Sequence, residues 1–580
     1  MAEPTSGARP VRAGAAKKAP AKKVGAAKAV AKVTAGPASP VARAPEAPAP
    51  VPAAEATRRS GPLAAKESRW SLSYKVTAAV LVLAAFVLLL RMYDQELGGP
   101  AHGDFSIGDG IPATLYLPVD AEDDGELPAP PPKDERPPVI VMAHGYSSDR
   151  ASMSGMARSL AKAGYAVLNI DLRGHGANTH PFRGDLRDDF AAAVDWATTS
   201  PYVDGSRLAV LGHSMGAGAA LDFATVDNRA KAVIPVSGGW MANDAVVPAH
   251  TLFLVGSGDP SEIADRQKEL AATLRAAGGD VSSHEVSGAD HIRILRDSDT
   301  IGSITKFLDP ILDVDRKGPT PGLVDPRFAT GGLYLLVVLG LIGMLGLAIG
   351  QTVPGPSADP RSKPTWMGFA LPAGALVLTM PLITVGGFDL LPLGAGQTIV
   401  MHMALTAALL WGGRALAQRG QVAGKVGALL AEGQWLPLRA VLWPGLAMGG
   451  VIVALLLPLS GVFHRMVPSP TRAVFWVVMT VACLPFFAAY EALTRRGRGG
   501  VATAAGIGAK AMLLLILFVG VGLGLLPFVI SLIAILLILQ YLLLEIFAST
   551  AFARGRNTAL IAVTEATIVA YTVVTLSPVG

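Results

Sequence analysis

The segment RLAVLGHSMGAGAALDFATV (residues 207–226) changes texture halfway along. Its first part is an apolar run that reads as a strand, its second a row of small residues that reads as a helix, and Ser214 stands at the junction between Gly212 and Gly216. In a chain with 64 glycines a Gly-x-Ser-x-Gly pattern carries little weight alone. The strand, sharp turn and helix around it carry more. Such a turn presents the serine hydroxyl from a strained backbone, glycines at 212, 216 and 218 relieve the crowding, and the helix N-terminus faces any anion formed beside the serine.

Outward from this turn, short apolar runs alternate with amphipathic stretches. PPVIVMAHG (137–145), YAVLNIDLRG (165–174), RLAVLGHS (207–214), AVIPVSG (232–238) and HTLFLVGSGD (250–259) read as strands, with ASMSGMARSLAKAG (151–164) and LRDDFAAAVDWATT (186–199) as helices between them. That alternation predicts a mostly parallel sheet with helices on both faces, occupying residues 100–315.

The motifs that bear chemistry resemble those of the α/β-hydrolase superfamily. MAHGYSSDR (142–150), GYAVLNIDLRGHGAN (164–178), the Ser214 turn, LFLVGSGDPSE (252–262) and EVSGADHIRI (285–294) follow one another in that superfamily's order. The domain is similar to the serine aminopeptidase and monoacylglycerol lipase-like branch and to dienelactone hydrolase-type esterases. The resemblance implies Ser214 as nucleophile, His291 as base and Asp259 as the acid that orients it, with the backbone N–H groups of Tyr146 and Met215 as an oxyanion hole. It also implies that Asp171, Arg173, His175 and His213 brace the loops. Asp244 and Asp290 are alternative locations for the acid.

Only GWMANDAVVPA (239–249) separates two of the strands where many lipases insert a cap. An open site suits a bulky or membrane-bound acyl substrate, with Trp240 and Met241 as a candidate apolar wall or as simple loop packing. No cofactor is expected, since one cysteine, Cys483, and scattered Asp, His and Glu offer no metal-ligand spacing.

The rest of the chain belongs to a bilayer. Hydrophobic residues make up 51% of the 580 and charged residues only 16%. Residues 1–70 form an Ala, Lys and Pro tail that cannot bury a core and is expected to be disordered. Residues 1–75 carry 14 Lys or Arg against 4 acidic residues, so the formal +5 of the whole chain conceals a net acidic remainder. The tail could meet anionic lipid or nucleic acid, or merely orient the first span; no specific nucleic-acid site is expected.

VTAAVLVLAAFVLLL (76–90) between Lys75 and Arg91 marks a signal anchor at 72–92. After a linker at 316–330, residues 331–580 hold eight apolar runs, near 331–350, 366–387, 395–413, 439–460, 472–492, 508–525, 526–548 and 557–576. VGLGLLP (521–527) between the sixth and seventh could instead lie within one broken helix. Arg361, Lys363, Arg414, Arg419, Lys425, Arg495, Arg496, Arg498, Lys510, Arg554 and Arg556 then fall on the same side as the basic tail, against Arg465 and Arg472 on the other. By the positive-inside rule the N-terminus is cytoplasmic and the α/β domain extracytoplasmic, at a bacterial cytoplasmic membrane. His402, Glu545 and Glu565 lie within spans, as a transport relay or as interhelical contacts.

These readings converge on a multi-pass membrane protein whose serine esterase or lipase-like domain cleaves an acyl ester, with membrane lipids as surroundings and a lipid-like ester as substrate. An acyltransferase on the same scaffold is the alternative, and a transporter or scaffold with a non-catalytic hydrolase-like domain a further one.

Overall fold

The structure, a computed structural model, describes residues 63–120, 127–241, 246–316, 325–355, 364–386, 391–432, 435–497, 499–526 and 529–580. The basic tail to residue 62, Asp244, Arg361, Lys363, Arg498 and linker residues 317–324 lie outside them.

A long helix α1 (Leu63–Leu97) leads into a hairpin of β1 (Pro100–Ile107) and β2 (Ile111–Asp120). Then β3 (Pro138–Ala143), α2 (Arg150–Lys162), β4 (Ala166–Ile170), α3 (Arg187–Thr199), β5 (Asp204–His213), α4 (Met215–Ala224) and β6 (Ala232–Val236) alternate. The series closes with β7 (His250–Gly256), α5 (Ser261–Ala276), β8 (Asp280–Val286) and α6 (Ser298–Ile311). The eight strands form one sheet in the order β1-β2-β4-β3-β5-β6-β7-β8, with the first two pairings antiparallel and the rest parallel.

Why β3 reads as an unbroken apolar run is visible in its two faces. Val139, Val141 and Ala143 join one core with Phe190, Val210 and Phe223, while Ile140 and Met142 join the other with Met156, Leu160, Ile301 and Ile304. A strand covered by helices on both sides has no polar face to alternate with. Strands β1 and β8 were not legible for the opposite reason. DVSSHEV of β8 is mostly exposed along an edge, so it carries no apolar signature.

The remaining helices are α7 (Arg327–Thr352), α8 (Trp366–Gly386), α9 (Gly394–Gln418), a short α10 (Gly424–Ala431), α11 (Leu438–Leu456), α12 (Pro470–Thr494), α13 (Gly500–Gly522), α14 (Val529–Gly555) and α15 (Thr558–Leu576). Among the described residues nine helices are long and apolar enough to cross a membrane, which suggests a multi-pass membrane protein. The sixth apolar run begins at Gly500 rather than 508, α13 and α14 are separate helices, and α10 was not expected.

Helix α15 sits at the centre, with 94% of its span buried. Gly445 and Gly449 of α11, one turn apart, let it approach closely: a Cβ at either would lie within 2.7 Å of Val563 or Thr567. Small residues at that spacing are how helices pack where lipid offers no hydrophobic drive.

The sheet domain bonds to one set of helix ends. Ser154 Oγ donates to the Gly461 carbonyl at 3.3 Å and accepts from Arg327 Nη2 at 3.2 Å, and the Val579 N–H donates to the Gly174 carbonyl at 2.9 Å. The opposite ends meet one another, with Gly355 N–H on the Gly555 carbonyl and Arg496 on Glu432 at 2.8 Å each. Four of the basic residues counted above are not loop charges. Arg414, Arg472, Arg495 and Lys510 are buried against helix partners.

Candidate active site

The turn after β5 places Ser214 at φ +53, ψ −111, a conformation that side chains rarely adopt. Gly212 and Gly216 make it possible: a Cβ at 212 would meet the Gly216 carbonyl oxygen at 1.9 Å, and one at 216 the His144 oxygen at 2.5 Å. The close approach of strand, helix and the β3 loop leaves room for nothing larger.

His291, on the loop after β8, puts Nε2 3.1 Å from Ser214 Oγ and Nδ1 2.6 Å from Asp259 Oδ1. Asp259 lies beyond β7. Its Oδ2 accepts from Ser237 Oγ at 2.6 Å and from the Gly256 N–H at 2.8 Å. Burial alone would raise the Asp259 carboxyl, but the bonds from His291, Ser237 and Gly256 outweigh it and hold the group below its ordinary value. Asp290 faces elsewhere, its Oδ1 accepting from the N–H groups of Ile292 and Arg293 at 2.9 and 2.8 Å.

One supporting group had no distinct signal in the sequence. Ser237, in a left-handed conformation at φ +49, meets Asp259 only through the crossover of β6 to β7. His213 was read as a brace, and its role is specific: burial and neighbouring His291 push it down to about 3, so the neutral ring donates from Nε2 to the His291 carbonyl at 2.8 Å. Similarly, burial lowers His144, which donates from Nδ1 to the Gly145 carbonyl and accepts the Leu172 N–H at Nε2. Asp171 pairs with Arg150, and Arg173 with Asp189, fixing the segment after β4.

A Cβ on Gly145 would touch Ser214 Cβ at 3.0 Å, so the loop bearing Tyr146 abuts the serine. Among the described residues neither the Tyr146 nor the Met215 N–H donates to another backbone carbonyl outside regular elements. Trp240 is 37% exposed and stacks on Gly218, lining a cleft of about 540 Å³ with Phe182, Leu186, Arg183, Asp185 and Asp222. Met241 does not line that cleft; it packs, partly buried, against one of the two cores of the sheet.

Of the intramembrane residues, His402 donates from Nε2 to the Leu376 carbonyl at 2.7 Å, an interhelical tie. Glu545 and Glu565 join Glu491, Arg495 and Lys510 in one buried ionic cluster across α12 to α15, with Lys510 Nζ 2.9 Å from both Glu545 and Glu565. Removing one partner of a buried pair strands the others, at about 3–5 kcal/mol. Lys510→Met should therefore lower the unfolding temperature of the detergent-purified protein by many degrees. An unchanged transition would show that the cluster does not hold the helices together.

Residues 134–257 match the family described as serine aminopeptidase, S33. The match includes Ser214 and ends before Asp259 and His291. The chain is 34% identical over 128 residues to the quorum-quenching protein AidA of Acinetobacter baumannii, covering 20% of this chain and 42% of that protein. It is 27% identical over 157 residues to an uncharacterized protein of Mycobacterium tuberculosis, covering 25% and 55%. With cutinase est1 of Thermobifida alba it shares 28% over 205 residues, 32% of this chain and 67% of the cutinase. The chain thus spans about half the length of the first two relatives.

Proposed function

We propose, for a chain that carries an α/β-hydrolase domain, that it is a membrane-anchored serine hydrolase cleaving a lipid-like acyl ester through an acyl-enzyme on Ser214. The likeness to esterase-type relatives supports hydrolase activity. The observation that carries the finer reading is the continuous relay from Ser214 Oγ to His291 Nε2 at 3.1 Å and on to Asp259 at 2.6 Å.

Along that relay the Ser214 oxygen attacks the acyl carbonyl while its proton passes to His291 Nε2. Asp259 stabilises the resulting imidazolium and keeps Nδ1 protonated. The N–H groups of Tyr146 and Met215 receive the oxyanion. Collapse breaks the ester C–O bond, and the departing alcohol takes the proton from Nε2. Water then repeats the sequence on the acyl-enzyme and releases the acid. The test is hydrolysis of p-nitrophenyl esters by the purified full-length protein, compared with Ser214→Ala.

A membrane-borne ester is the substrate we favour, because loops around the site meet the helix ends at residues 395, 465 and 579. Trp240 and the 42% exposed Ile292, next to His291, add an apolar rim. We place the domain outside the cytoplasm, since Arg419, Lys425, Arg496, Arg554 and Arg556 gather at the far helix ends. In a Cys483→Ala background, a membrane-impermeant thiol reagent on intact spheroplasts should label Ala277→Cys, exposed after α5, but not Gln421→Cys, exposed after α9. The reverse pattern would put the enzyme in the cytoplasm.

A further inference from the structure

Residues 144–149 connect β3 to α2 and carry the Tyr146 N–H. Within this loop Ser147 is held at φ +57, left-handed for a residue with a side chain, and such strain persists only where the surroundings over-determine it. Part of those surroundings comes from the α/β domain, through the Leu172 N–H on His144, and part from the membrane helices. The Tyr146 hydroxyl accepts the Ala395 N–H at 3.0 Å, at the start of α9. Gly394 leaves the space for it, since a Cβ there would stand 2.5 Å from that hydroxyl oxygen. At the other end of the loop, the fully buried Asp149 accepts the Arg465 N–H at 2.7 Å and His464 Nδ1 at 2.8 Å, both from the segment between α11 and α12. Its second oxygen caps α2 through the Ala151 N–H at 2.9 Å.

His464 is placed to carry charge. Its Nε2 faces the Thr575 carbonyl of α15 at 3.1 Å while Nδ1 faces Asp149, so both nitrogens have acceptors. Burial alone would lower its affinity for a proton, but Asp149 outweighs burial and the nearby Arg472 guanidinium, and the net direction is upward. The loop is therefore pinned at both ends by groups the α/β domain does not itself contain.

We infer that the membrane domain sets the oxyanion-hole loop: the Tyr146 hydroxyl and the Asp149 carboxylate are positioning groups, held by residues 394–395 and 464–465. The inference rests on the Tyr146 N–H being an oxyanion donor. A donor out of place is costly only once negative charge develops, so the loss falls on kcat and not on ground-state binding. The helices would thus complete the catalytic site as well as anchor it.

The experiment measures kcat and KM for p-nitrophenyl butyrate with the full-length protein in detergent, as wild type, Tyr146→Phe, His464→Gln and Ser214→Ala. Thermal unfolding is followed in parallel. Tyr146→Phe keeps the ring and the backbone N–H and removes only the acceptor of the Ala395 bond. Expected are kcat values down about tenfold in Tyr146→Phe and in His464→Gln, with KM within about twofold of wild type. Wild-type kcat in both variants, or a loss carried by KM alone, would overturn the inference. A loss of kcat only in step with a loss of folded protein would do the same. If Tyr146→Phe fails to fold, His464→Gln decides by the same criteria. Ser214→Ala separates the two levels: if it remains active, the catalytic reading fails, whereas an inert Ser214→Ala beside fully active clamp variants rejects the clamp alone.

Discussion

Ser214→Ala is expected to hydrolyse p-nitrophenyl esters with kcat about 10⁴ to 10⁶-fold below wild type and to take up no fluorophosphonate label. Serine is a weak nucleophile unless a base removes its proton as the new bond forms, and His291 Nε2 at 3.1 Å is within reach to do so. The alanine keeps the elbow's packing, because the glycines that permit it are untouched. Residual turnover would come from binding and from the N–H donors alone. His291→Ala should fall to a similar level, since the two residues act as a unit and their effects do not add. A label that persists in Ser214→Ala would take this serine out of the mechanism.

Asp259→Asn is expected to lower kcat by about 10⁴, with Asp290→Asn near wild type. At Asp259 both carboxylate oxygens accept, one from His291 and the other from Ser237 and Gly256. An amide offers one acceptor and one donor, so either His291 loses its orienting acceptor and takes the wrong tautomer, or Ser237 and Gly256 face an N–H. At Asp290 a single oxygen accepts the Ile292 and Arg293 N–H groups, and an amide oxygen can do that as well. The opposite ranking in steady-state kinetics would move the acid of the relay to Asp290.

Several features were legible because they are properties of short segments. Residues 207–226 contain both arms of the elbow and the glycines it needs, so strand, turn and helix could be read together. Helices α7 to α15, the short α10 excepted, announce themselves by length and hydropathy, since a bilayer demands some twenty apolar residues from any helix that crosses it. Their ends were less legible. Lys510 looked like a loop charge, yet it lies inside α13, because three carboxylates on other helices compensate it and no single segment contains them.

What the sequence alone determined about this protein is therefore the local grammar: an alternating α/β domain with a serine elbow, set between one apolar helix and a series of others. The sequence preferred Asp259 to Asp290 only by resemblance, because neither its place 32 residues before His291 nor the adjacency of Asp290 shows which carboxyl faces the ring. Only folding turns one toward His291 and the other into a backbone cap. Nor could the sequence show Ser237 beneath Asp259, His213 under the His291 carbonyl, or Tyr146 and Asp149 bonded to residues 395, 464 and 465. Those contacts join positions as many as 316 apart in the chain, and hydrogen bonds act over about 3 Å of space whatever the sequence separation. Tertiary packing alone brings such groups within that distance.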